Sequence, residues 1–70
     1  MSFNKTVARA LRVALAKNDL QQKDLADYLD IHHQTVSKWC QHGNMSKNTL
    51  EEIVTWLGMS YSEFIKLGEA

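Results

Sequence analysis

Residues 25–39 read "LADYLDIHHQTVSKW", and within them His33, Gln34, Ser37 and Lys38 stand at i, i+1, i+4 and i+5. On a helix that spacing gathers four polar side chains on one face. Their chemistry is hydrogen bonding, not bond making: glutamine pairs a donor with an acceptor, lysine is a point charge with three donors, serine adds a hydroxyl and histidine two ring nitrogens. The 70-residue chain has no glycine-rich phosphate loop and no nucleophile paired with a base, and it is too short to build a deep pocket. Neither an enzyme nor a cofactor nor a small-molecule ligand is expected. His32, His33, His42 and Cys40 crowd into residues 32–42. Adjacent histidines diverge on a helix, however, and no spaced pair matches a structural site, so no metal is expected either.

These four residues need a frame to aim them. Leu25, Ala26 and Leu29 share one face of a short helix that begins after Leu20 and stops near Asp30. A third helix follows from about His32 or His33 to Cys40, with Val36 and Trp39 turned inward and Ile31 in the turn between the two. Two short helices joined by a three- or four-residue turn, with a small residue where they cross, form a helix-turn-helix. That geometry requires Leu25, Leu29, Ile31, Val36 and Trp39 to point into one core, and Ala26 to be small beneath the crossing helix. All six positions carry suitable residues.

The rest of the chain is also helical in pattern. Val7, Leu11, Ala14 and Leu15 mark a first helix over about Asn4 to Lys17, with Ser2 or Asn4 as its cap. Gly43 and Asn44 break the chain. Ser46 or Asn48 then caps a fourth helix, with Glu51 in the reciprocal position to Asn48, a stripe of Leu50, Ile53, Val54 and Leu57, and Gly58 at its end. Ser60 and Glu63 repeat the capping signal for a last helix carrying Tyr61, Phe64 and Leu67. The absence of proline and of β-type alternation makes the expected fold all-α, a single domain over residues 1–70.

The formal charge is zero, yet the charges are unevenly distributed. Residues 1–18, 19–30, 31–49 and 50–70 carry +4, −3, +2 and −3. A neutral total can therefore hide a basic face, and a local field matters more to a phosphate than the sum does. The single Cys40 closes no internal disulfide, which fits a reducing compartment such as the cytoplasm. No apolar run reaches the roughly 20 residues of a membrane span.

With these features in place, "LQQKDLADYLDIHHQTVSKW" followed by "TLEEIVTWLGMSYSEF" resembles the lambda-repressor-like, Cro/XRE-type helix-turn-helix family over about residues 5–67. The sequence departs from the family pattern in places. Asp30 stands where such domains usually turn through a left-handed glycine, His32 replaces a serine or threonine cap, and Cys40 replaces a frequent glutamate.

The resemblance implies a compact five-helix bundle whose third helix enters the major groove of double-stranded DNA. Lysine suits guanine, and glutamine grips adenine with two bonds, so His33, Gln34, Ser37 and Lys38 are the expected base readers. Gln22, which in similar domains caps helix two and touches a phosphate, joins His32, Thr35, Asn44 and Lys47 as expected backbone contacts, with basic residues near the start of helix one. A short recognition helix covers few base pairs, so a homodimer on paired half-sites is expected, with Trp56, Tyr61, Phe64 and Ile65 as candidate interface. Small stand-alone domains of this kind are most similar to phage Cro-like repressors. A protein-binding version of the fold, such as an anti-repressor, and the antitoxin of a toxin pair are the alternatives.

Overall fold

The computed structural model describes residues 3–69. Five helices follow one another: α1 (Phe3–Lys17), α2 (Gln22–Leu29), α3 (His33–His42), α4 (Lys47–Leu57) and α5 (Tyr61–Glu69). Helix α1 is the axis of the bundle and packs chiefly against α5 and α3, while α2 packs against α3. Its buried positions Val7, Ala8, Ala10, Leu11, Ala14 and Leu15 alternate small and large side chains, which lets two neighbours approach closely. Leu25, Val36, Ile53 and Phe64, each at 0% exposure, bring one anchor from each of the other four helices onto that axis.

Capping explains most of the boundaries. Ser60 and Glu63 form the reciprocal box expected of them: the Ser60 N–H donates to Glu63 Oε1 at 3.1 Å, and the Glu63 N–H donates to Ser60 Oγ at 3.1 Å. These bonds favour the carboxylate and hold the Glu63 pKa below its ordinary value. At α4 the cap is Ser46, whose Oγ accepts from the Thr49 N–H at 3.2 Å. Asn48 lies inside the helix, so its expected box with Glu51 does not form. Asn4 likewise falls within α1, and Ser2 lies outside the described residues. Helix α2 is capped one residue earlier than expected, because the Gln21 N–H donates to Asp24 Oδ2 at 2.7 Å and Gln22 is the first helical residue.

The turn between α2 and α3 is three residues long. Asp30 adopts the left-handed conformation at φ 57° and ψ 50°, and the Ile31 N–H reaches back to the Ala26 carbonyl at 3.0 Å. The backbone is thereby closed as expected, but the Ile31 side chain is not in the core. It is 36% exposed, because a residue just past a left-handed cap projects from the corner of the motif. The motif core is therefore Leu25, Ala26 and Val36, flanked by half-buried Leu29 and Trp39.

A left-handed L-residue costs about 1–2 kcal/mol, and an acid at a helix C-terminus faces the negative end of the dipole. Asp30→Gly is thus expected to stabilise the domain by about 1 kcal/mol, raising the Tm by roughly 4–8 °C in a thermal melt followed by circular dichroism. A lower Tm would show that the aspartate is favourable where it stands.

Helix α3 runs two residues past Cys40 and stops where Gly43 turns left-handed at φ 66°. Its last carbonyls would otherwise lack partners, and the Arg12 guanidinium donates to the carbonyl of Cys40. Cys40 is buried, and burial pushes its thiol pKa up, opposed by the nearby charge of Arg12. Phe64 also departs from expectation: at 0% exposure it is a central core residue, so it presents no surface to a partner.

Candidate nucleic-acid interface

Helix α3 buries Val36 and Cys40 and turns its opposite side outward. Gln34 and Lys38, one turn apart, are both exposed on that side, and His33 is exposed at the first helical position. Ten residues at 1.5 Å rise make α3 about 15 Å long, suited to a major groove roughly 12 Å wide.

Gln41 stands on the same face, one turn beyond Lys38 and two beyond Gln34, and is exposed. It was not among the expected site residues. The i+7 relation to Gln34 carries the signal, but a helix thought to end at Cys40 leaves no place for it.

Ser37 occupies the edge of this face and is half-buried. Its hydroxyl donates to Gln22 Oε1 at 2.6 Å, across fifteen residues of sequence. The Ser37 proton is therefore committed within the protein. The same bond engages the Gln22 amide through its oxygen and leaves the NH2 group as its donor, at the start of α2. Ser37 and Gln22 thus belong to one unit that ties the recognition helix to the helix before it.

The remaining expected contacts are spread around α3. His32 precedes it, exposed, with no side-chain cap bond; its carbonyl accepts from the Thr35 N–H at 3.0 Å. Thr35 is half-buried, one residue from Gln34. Asn44 and Lys47 are exposed, in the α3–α4 loop and at the first residue of α4 respectively. His32 and Thr35 therefore stand at the N-terminal end of α3, Gln22 beside its middle at Ser37, and Asn44 and Lys47 beyond its C-terminal end.

The candidate interface residues differ in their surroundings. Trp56 stacks on Tyr28 of its own chain, with ring centroids 5.3 Å apart and planes inclined at 21°. Tyr61 is 41% exposed and Ile65 is half-buried. Among the described residues no cluster of His, Cys, Asp or Glu could hold a metal ion, and no helix is long and apolar enough to cross a membrane.

The geometry is that of two short helices locked by a shared core, the second presenting an exposed polar face. No curated protein and no solved structure matches the chain. A family model does match, over residues 10–69, from the middle of α1 to the end of α5, and by it the chain belongs to the Cro/C1-type helix-turn-helix (HTH) DNA-binding domain family.

Proposed function

We propose that this protein is a sequence-specific regulator of transcription that inserts α3 into the major groove of double-stranded DNA and works as a homodimer on paired half-sites, in the manner of a phage Cro-like repressor. The observation that carries this reading is the exposed outer face of α3, where Gln34 and Lys38 stand free of the core. Gln34 is the adenine reader, Lys38 the guanine reader, and His33 reaches the next base edge from the first turn of the helix.

Gln22, His32, Thr35, Asn44 and Lys47 hold phosphates of the DNA backbone around α3. Ser37 acts through Gln22 and is a positioning residue. Trp56, on its Tyr28 stack, Tyr61 and Ile65 are the surface offered to a second copy. Such a regulator works in the bacterial cytoplasm, where its operator is.

The test is selection of bound sites from random duplex DNA by the full chain. The expected product is a consensus made of two related half-sites whose centres lie about 34–36 Å apart, one helical turn. If no duplex is enriched over repeated rounds, the regulator reading fails and a protein partner takes the place of DNA.

A further inference from the structure

The start of α1, the α3–α4 loop and the first turns of α4 and α5 surround a partly open hollow of about 190 Å³. Buried Val7 and Leu50 form its floor, and half-buried Met45 stands above them. Phe3 and Tyr61 form its rim, and these two rings are half of the four large apolar side chains that the described residues leave exposed. An aromatic rim left in water above an apolar floor lacks an apolar cover. Lys47 is the one charged residue of the lining, and no acid borders it. Four separate segments contribute, so no spacing along the chain points to this place.

We infer that the hollow is a binding site for a small aromatic carboxylate, with a single ring seated on Val7 and Leu50 between Phe3 and Tyr61 and its carboxylate turned to Lys47. Size sets the number of rings. An apolar cavity of about 150 Å³ accommodates benzene, so a hollow slightly larger takes one ring and a small substituent. The rim sets the kind of group, because rings favour offset or edge-on contact with other rings, and the Met45 thioether also packs well against a ring edge. Charge sets the sign. The Lys47 ammonium offers three donors to a carboxylate and repels an amine, and the Asn4 amide in the same lining adds a neutral donor. An apolar pocket with a few polar groups that orient the ligand is the general form of a small-molecule site. Lys47 and Tyr61 also figure in the contacts proposed for DNA and for a second copy, so the free chain is the state in which the hollow is open.

The experiment follows the amide signals of the full isotope-labelled chain by nuclear magnetic resonance, without DNA and at low protein concentration. Benzoate is titrated, and in parallel acetate, benzyl alcohol and benzylamine, which carry the charge without the ring, the ring without the charge, and the ring with the opposite charge. Benzoate is expected to shift the signals of Val7, Met45, Lys47 and Leu50 saturably, with a Kd on the order of 1 mM, and the others to bind at least about tenfold more weakly. Lys47 is exposed, so its substitution removes no packing. Lys47→Gln should weaken benzoate by about tenfold and leave benzyl alcohol unchanged, and Lys47→Glu should reverse the preference towards benzylamine. Lys66→Gln, exposed and outside the lining, should bind benzoate as wild type does.

The absence of a saturable shift with benzoate overturns the site. Equal binding of acetate would reduce the effect to a surface lysine, and equal binding of benzylamine would reduce it to apolar contact; either result overturns it too. So does movement of the same signals on raising the protein concentration alone, if benzoate does not reverse it, since a second copy then fills the hollow. Failure of the chain to select any duplex would leave this site standing, because the titration contains no DNA.

Discussion

Gln34→Ala/Lys38→Ala is expected to erase the preference for the selected operator over a scrambled duplex while leaving helicity and Tm close to wild type. Both side chains are exposed on the outer face of α3 and are absent from the buried core, so their loss removes no packing. Each well-made contact to a base edge discriminates by about 1–3 kcal/mol, and losing two should therefore lower specificity by at least about 2 kcal/mol, roughly thirty-fold. Binding to arbitrary DNA should persist, because the phosphate contacts remain.

Ser37→Ala separates reading from positioning. Removing its hydroxyl frees the Gln22 amide, so affinity should fall by a similar factor on selected and scrambled duplexes alike. A Ser37→Ala protein that changes its preferred base would restore Ser37 as a reader. A double variant at 34 and 38 that keeps its preference would dismiss those two residues as readers. Competition binding at fixed salt measures both outcomes.

What could be read along the chain, and what could not, divides by the range of the interaction. The five helices, the Ser60–Glu63 box and the left-handed Asp30 follow from signals within six residues of one another, and each is found in place. Periodicity assigns a residue to a face. It does not say what stands opposite. The bonds from Ser37 to Gln22 and from Arg12 to Cys40 span 15 and 28 residues, and no spacing rule points to either.

Trp56 illustrates the same limit. It lies outside the stripe of Leu50, Ile53, Val54 and Leu57, and the ring it stacks on, Tyr28, belongs to another helix. At Ile31 an apolar residue in a tight turn satisfies the motif by type, but its direction depends on the left-handed residue before it. Among competing caps, Ser46 prevails over Asn48: its Oγ accepts from the Thr49 N–H and Lys47 is the first residue of α4.

Gly43→Ala is expected to be the most damaging small substitution in the chain, and Gly58→Ala is its matched control. Both glycines end a helix in the left-handed conformation, at φ 66° and 72°, so each alanine carries the same conformational cost of about 1–2 kcal/mol. Their surroundings differ. A Cβ on Gly58 meets nothing within 4 Å, whereas one on Gly43 would overlap the carbonyl of Asn4 and crowd the Ala8 nitrogen, both backbone atoms of α1 that no rotamer change can move.

Relief requires α1 to shift away from the end of α3, which disturbs the helix that carries Val7, Leu11 and the Arg12 contact to Cys40. Overpacking of side chains costs about 1–3 kcal/mol, and backbone against backbone should lie at or above that range, giving about 3 kcal/mol or more in total. A domain of this size has roughly 4–10 kcal/mol of stability. Gly58→Ala should therefore lower the Tm by roughly 4–16 °C, and Gly43→Ala by a larger amount, roughly 12–24 °C or more, or to an unfolded chain. Equal melting temperatures for the two variants would show that α1 and the end of α3 are not held in contact at Gly43, and with that the close seating of α1 beside the recognition helix would be lost.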